Sequence, residues 1–439
     1  MSNIHQYIYK LYVKTVNSIA FYPSLIAFTY FLFAFAVMAN EYHSALMHFK
    51  MTISKVLVHG EDNARLVLGT LVGSIISLMV FSFSMVMLVL SRSSSTLSPR
   101  VIPSLVSRKS HQWVLGNYLG TIIYSLIMVV NINSKQSPDQ IPSLGILFAM
   151  IFGVYCLILF IYFIHSISKS IQTDSILDTI FEETKCKMKE YFDNKVETLP
   201  NTDKWHQIRS KQAGYLKQIN TNKLLKICRK YDLKIQLTKP VGFFLIEDFP
   251  IAKIDNDIDE NVEDLILQCF ICYPEERLED HYHFGFKHIS EIAIKALSPG
   301  INDPGTAIKS IDMLSLLFTK KMKFEGNIGL HEKNILRLIF TEVTLEQMLF
   351  INLTPIRDYG RCDANVMFSL LESLKNMIYS CDNDEHINIL IDYTGSVVAS
   401  CDKYIESQLD RKAINCLITC INELLKTGTS LSEISLNKQ

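Results

Sequence analysis

Four stretches of this chain carry no Asp, Glu, Lys or Arg over about twenty residues or more: Ser18–Asn40, Leu66–Ser91, Gln112–Ile132 and Ile141–His165. A bilayer core is crossed by about 20 helical residues at ~1.5 Å each. Lipid offers no partner for the backbone of a lone strand, so each run is expected to span as a helix. Tyr22, Trp113 and Tyr118 fall near run ends, where amphipathic rings favour the interface. These runs dictate a four-span transmembrane domain over residues 1–167.

The stretch Phe81–Val114 sets the orientation. Its apolar run stops at Arg92, a Ser/Thr cluster and Ser98-Pro99-Arg100 follow, and Arg108-Lys109 precede the next run. Lys and Arg collect on the cytoplasmic side of a membrane. Lys10, Lys14, Arg92, Arg100, Arg108, Lys109 and Lys169 outweigh Lys50, Lys55, Arg65 and Lys135 on the other side. Both termini are therefore expected in the cytoplasm, with the protein multi-pass in the membrane. Arg92, Arg100, Arg108 and Lys109 would meet lipid headgroups or form a vestibule. The outer loop around Ala45–His59 is mildly amphipathic and fits the membrane surface. Ten cysteines at irregular spacing suit reduced thiols better than a disulfide framework. A net charge of −1 gives no electrostatic case for nucleic acid.

Beyond the fourth run, Ile167, Ile171, Ile176, Ile180 and Phe181 keep a helical period, so one helix is expected to continue to about Phe192. Residues 168–212 read as helical extension and linker. Residues 213–283 read as a small β-rich module. It has strands at Gly214–Ile219, Leu233–Leu237, Phe243–Ile246 and Ile251–Ile254, a short helix opening at Asn220–Asn222, and a helix then a strand within Val262–Tyr273. Residues 284–426 read as helical: Phe286–Leu297, Gly305–Lys320, Leu345–Tyr359, Asn365–Tyr379, Glu385–Gln408 and Ala413–Leu425, with Pro355 kinking or interrupting one of them. Residues 427–439 read as a flexible tail. The fold class is thus membrane α-helical with four transmembrane helices, plus an α+β cytoplasmic domain that is mostly helical.

Gly69 and Gly73 lie four apart in the second run, and Gly116 and Gly120 in the third, a spacing that lets helices approach closely. Gly73, Ser77, Ser84 and Ser91 share one helical face. With Asn117, Thr121 and Ser125 they would line a polar path between subunits, whereas a single serine more often bonds back to its own helix. In Ala296-Leu-Ser-Pro-Gly-Ile-Asn-Asp-Pro304, the group Ser298-Pro299-Gly300 stops one helix. Asn302 leads into Asp303, placed to cap the next helix with Pro304 at its first position. The result is a rigid corner, or an anion site at the new helix N-terminus.

The sequence resembles the bacterial predicted membrane protein family, domain of unknown function 2254. The resemblance is carried by FSFSMVMLVLSRSSSTLSPR with LGNYLGTIIYSL, by Phe163–Gln172, and above all by His283–Leu314 with its core ALSPGINDP. Gly305 and Ser166 depart from the family pattern. The resemblance implies four spans and a cytoplasmic C-terminal region, and no activity.

No phosphate loop, GxSxG, HExxH or dinucleotide fingerprint is present. Cys269 and Cys272 have redox or zinc spacing without a second pair, and His281, His283 and His288 with Glu279 and Asp280 meet metal-ligand spacing poorly. No enzyme, cofactor or metal is expected. The spans lack the ionisable groups that proton-coupled carriers use. The expectation is a homo-oligomeric channel-like protein regulated by its cytoplasmic domain. The alternative is a membrane-anchored sensor or scaffold that binds a cytoplasmic protein or small-molecule ligand.

Overall fold

A computed structural model describes residues 20–41, 57–58, 60–96, 109–132, 141–170, 173–192, 195–196, 200–273, 281–324, 327–332, 335–425 and 430–436. These residues form two compact units, one on either side of residues 171–172.

The first unit holds α1 (Phe21–Asn40), α2 (Glu61–Thr96), α3 (Lys109–Val130) and α4 (Ser143–Ser170). All four are long and apolar enough to cross a membrane. The most extensive helix pairing is between α1 and α3, and two glycines make room for it. A Cβ at Gly116 would lie 2.8 Å from Ile26 Cδ1 and 3.0 Å from Pro23 Cα, and one at Gly120 would lie 2.6 Å from the Tyr30 ring. Gly153 of α4 gives the same clearance to Leu71 of α2, at 2.6 Å. Polar groups inside the bundle bond to one another. Tyr30 donates to Asn117 Oδ1 at 2.9 Å, Asn117 Nδ2 donates to the Trp113 carbonyl at 2.8 Å, and Tyr124 donates to the Gly145 carbonyl at 3.0 Å. Charges complement the helix ends: the buried Glu41 carboxylate accepts from Leu144 N at 3.0 Å in the first turn of α4, and Arg65 donates to the Ile132 carbonyl at 3.1 Å, just past the end of α3. Tyr118, expected near an interface, is buried inside the bundle.

The second unit begins with α5 (Thr173–Phe192). The expected continuous helix is thus helical on both sides of residues 171–172, and the join lies outside the described residues. Next come β1 (Lys195–Val196), β2 (His206–Arg209), β3 (Gly214–Ile219), α6 (Thr221–Tyr231), β4 (Ile235–Leu237), β5 (Phe244–Leu245), β6 (Pro250–Ile254), α7 (Glu260–Leu267) and β7 (Phe270–Tyr273). Asn220 caps α6 by accepting from Lys223 N at 3.0 Å. Then follow α8 (Tyr282–Ala296), α9 (Pro304–Lys323), β8 (Asn327–Glu332), β9 (Ile335–Phe340), α10 (Leu345–Gly360), α11 (Ala364–Tyr379), α12 (Asp384–Tyr404) and α13 (Gln408–Leu424).

Two sheets organise this unit. One has the order β5-β3-β7; the other has the order β1-β8-β9-β4-β6-β2, antiparallel except for the β4–β9 pair. The larger sheet overrides the expected boundary at residue 283. The β8–β9 hairpin comes from within the stretch read as helical, and it pairs through β9 with β4 of the β-rich module. Residues 193–212, read as linker, supply β2. Pro355 does not end α10, which runs through it.

At the C-terminal end, Ile405-Glu406-Ser407 separates α12 from α13, where one helix to Gln408 was expected. Ser407 caps α13 by accepting from Asp410 N at 3.4 Å. Arg411, 1% exposed, donates to the carbonyls of Asp402 (2.9 Å), Ile405 (2.7 Å) and Ser435 and to the Asp402 carboxylate. The stretch 430–436, expected as loose tail, is held against α13. Asn415 and Asn422 each pair reciprocally with one backbone unit, at 2.9 and 2.8 Å to Ile434 and at 3.0 and 2.8 Å to Leu431. A carboxamide carries a donor and an acceptor side by side, so it stands in for the missing strand partner of an extended segment.

Candidate functional site

The most unusual chemistry of the second unit lies at the start of α8. Thr184 of α5 would sit 1.7 Å from a Cβ at Gly285, so only glycine lets the two helices lie this close. That approach carries Tyr191 and Phe192, at the end of α5, onto His281 and Tyr282. Tyr191 lies 4.7 Å from the His281 ring centroid, and Phe192 lies 5.4 Å from that of Tyr282. His281 and His283 stack at 4.4 Å with their planes 18° apart.

Glu342, two residues past β9, and Lys321 of α9 complete the cluster. Glu342 Oε2 accepts from Tyr282 OH at 2.6 Å and from Lys321 Nζ at 3.2 Å. Lys321 also lies over the Phe192 ring, 4.9 Å from its centroid. One ligand atom each from His281, His283 and Glu342 lies within 4.8 Å of the other two. Burial holds both imidazoles neutral: it lowers the His281 value to about 4, and with His281 and Lys321 nearby it drives that of His283 well below the ordinary range. The same burial, with Glu342 close by, raises the phenols of Tyr191 and Tyr282.

Beside this cluster, His283 and Phe284 also line a cavity of about 270 Å³. Tyr215 of β3, Phe243 and Phe244 at β5, and Met348 and Ile351 of α10 make its walls mainly apolar, with Lys287 and Asn352 as polar groups. Asn352 Nδ2 donates to the Met348 carbonyl at 2.8 Å, while its Oδ1 is buried without a hydrogen-bond partner among the described residues. Gly242, at φ +101°, brings the turn within 3.0 Å of Phe284 as measured from a built Cβ.

The residues singled out from the sequence fall in separate places. Gly116, Asn117, Gly120, Thr121 and Ser125 are buried in the first unit. There the glycines serve the α1–α3 contact, and Thr121 bonds the Asn117 carbonyl at 2.8 Å. Gly69, Gly73, Ser77, Ser84 and Ser91 are exposed on α2, and no atom of the described residues lies within 4 Å of a Cβ built at Gly69 or Gly73. Ser77 and Ser84 donate to their own helix, to Gly73 and Val80 carbonyls at 3.0 and 2.9 Å. The two sets therefore do not form one polar lining: one is interior to the protomer and the other faces outward. Arg100 and Arg108 lie outside the described residues, as do the side chains of Arg92 and Lys109.

At the corner after α8, Ser298 bonds the Lys295 carbonyl at 2.6 Å and Asn302 adopts φ +50°. Asp303 accepts from Thr306 N at 3.1 Å and from its hydroxyl at 2.6 Å, with Pro304 opening α9. The chain's own carboxylate thus occupies the N-terminus considered for an anion. Pro299 and Gly300 lie in the turn, and a Cβ at Gly300 would meet nothing within 4 Å.

His281 and His283 were weighed from the sequence with His288, Glu279 and Asp280. Among the described residues Glu342 joins His281 and His283 where His288 does not, and Glu279 and Asp280 lie outside the described residues. Glu342, Lys321 and Tyr191 carry no local signal of their role, because they meet the histidines only through the packing of α5, α9 and the β9 end.

A family model described as predicted membrane protein (DUF2254) matches residues 16–376. The chain belongs to this family. Uncharacterized proteins of Mycobacterium bovis and of Mycobacterium tuberculosis strain H37Rv are each 22% identical to it over 346 residues, covering 75% of this chain and 66% of their own length. The chain thus spans just under two thirds of these relatives. No solved structure matches it significantly. The family match covers the four apolar helices, α8 with the His281–Glu342 cluster, and the α8–α9 corner.

Proposed function

We propose that this family member is a sensor anchored in the bacterial inner membrane, with both termini and its C-terminal unit in the cytoplasm. Its ligand is a small, largely apolar molecule with an anionic group. The observation that carries the reading is the cavity beside α8: aromatic and aliphatic walls, one cation in Lys287, and a buried acceptor in Asn352 Oδ1. A concave apolar site with a few convergent polar groups is the usual form of a small-molecule site. Aromatic acids that also carry a hydroxyl have the matching chemistry: a carboxylate for Lys287 and an O–H to donate to Asn352 Oδ1. The reading is of a binding protein without catalysis and without nucleic acid.

The test is a thermal-shift screen of the full-length protein in detergent with such acids, repeated on Ile351→Trp and Lys287→Met. A hit should raise the melting temperature, lose its effect in the filled cavity, and weaken about tenfold or more without Lys287. Absence of any hit among acids that fit the volume, or a hit indifferent to both changes, would remove this reading.

A second reading, a homo-oligomeric channel, draws on one observation: the small-residue face of α2 at Gly69, Gly73, Ser77 and Ser84 is open. In a membrane such faces receive another helix, and a second copy of this chain is the natural occupant. Ion flux in liposomes, together with oligomer mass, separates the two readings. A ring whose flux responds to Ser84→Leu supports the channel, and a silent dimer or monomer supports the sensor.

A further inference from the structure

Beyond ligand sensing, one cluster of the second unit has the make-up of a metal centre. We propose that His281, His283 and Glu342 bind a divalent first-row transition ion, with zinc(II) or iron(II) as the class of occupant.

Geometry and polar atoms left without partners among the described residues both point to a bound ion. A buried imidazole ordinarily uses both ring nitrogens. Here three of four do not: His281 Nε2 and both nitrogens of His283 are shut off from solvent and have no hydrogen-bond partner among the described residues. The fourth, His281 Nδ1, faces His283 N at a long 3.4 Å. Glu342 Oε1 is likewise buried and unpartnered, while Oε2 is taken by Tyr282 and Lys321.

This division of the carboxylate is what a metal ligand needs: one oxygen held by outer groups that fix its orientation, the other presented to the ion. Ligand bonds of about 2.0–2.2 Å place donor atoms about 3.4 Å apart around a tetrahedral ion. The present limit of 4.8 Å therefore closes with side-chain movements on the order of 1 Å. Binding through His281 Nε2 leaves its proton on Nδ1 and gives up the long contact to His283 N.

Two imidazoles and one carboxylate suit zinc(II), iron(II) or manganese(II), and leave a position open. Magnesium and calcium prefer sets made of oxygen alone. Lys321 offsets the Glu342 charge and so weakens the site for any cation. The two imidazole nitrogens, which magnesium and calcium do not favour, select a transition ion in spite of it.

The proposal does not depend on anything occupying the cavity. Its test uses tag-free full-length protein in detergent, stripped with a chelator. Equilibrium dialysis with zinc(II), iron(II) or manganese(II) should load one ion per chain, with magnesium and calcium failing to do so. His283→Ala and Glu342→Gln should each weaken binding at least tenfold, and exposed His331→Ala should leave it unchanged. Cobalt(II) in the wild-type protein should give visible bands of nitrogen and oxygen coordination, lost in His281→Ala/His283→Ala. The wild-type spectrum decides the matter even where a variant fails to fold. No loading above the magnesium level, loading that persists in the double variant, or thiolate charge-transfer bands marking cysteine as the ligand would each overturn the proposal.

Discussion

At the scale of single residues, two positions show how little freedom the α5–α8–α9 region has. Gly285 meets Thr184 with no room for a methyl group. Gly285→Ala should cost about 1–3 kcal/mol through forced repacking, read as a lowered thermal midpoint. Thr184→Ala should recover only part of it, since the Thr184 Cβ is itself 2.7 Å from the built atom. Asp303 works by charge and hydrogen bonding together. The Thr306 hydroxyl first, then the Thr306 amide, hold its carboxyl below the usual value. A depressed carboxylate stabilises fully above its unfolded value, and the contribution fades as pH falls through the folded one. Asp303→Ala should thus cost about 1 kcal/mol at neutral pH, whereas Asp303→Asn should keep most of the cap and flatten the acid limb of the stability curve. Asp303 was legible because Asp-Pro after Pro-Gly is a local capping signal. Gly285 was not, because the clash it avoids comes from a helix a hundred residues away in the chain.

At the scale of elements, apolar runs and caps made most helices legible, while strands were seen only where turns isolated them. The runs 214–219 and 251–254 stand between Gly, Pro and Asn. The β8–β9 hairpin lies between two helices, and the apolar run Ile335–Phe340 is too short for its period to tell strand from helix. The C-terminal element was misread for a different reason. Arg411 and Asn415 look like the solvated face of an amphipathic helix, and only the fold shows that they bind the chain that follows. Asn415→Ala and Asn422→Ala together should speed amide hydrogen exchange at Leu431 and Ile434 by at least tenfold, with helix content unchanged. Arg411→Met should be costlier, about 1–3 kcal/mol, because the carbonyls of Asp402, Ile405 and Ser435 lose a charged donor, while the half-exposed Asp402 carboxylate keeps the Ser435 amide.

At the scale of the whole molecule, four uncharged runs were enough to separate a membrane unit from a second unit. What they could not do was say which small residues are used inside a protomer. Gly116 and Gly120 meet α1, while among the described residues Gly69 and Gly73 meet nothing within 4 Å. The two GxxxG spacings are alike in the sequence and differ in use. Gly120→Leu should therefore destabilise the monomer itself, and Gly73→Leu should leave it folded while shifting its mass in detergent to a smaller species. An unchanged mass in Gly73→Leu would mean that lipid, and no second copy, covers that face.

The stretch Leu431–Ser435 follows every described helix of its unit along the chain, so on a growing polypeptide it emerges after all of them. Until it does, a guanidinium and two carboxamides of α13 wait with bonding groups unmatched. Cutting the chain just past Leu425 would keep every described helix of the unit and still leave those groups unmatched, so a helix count alone would miss the damage.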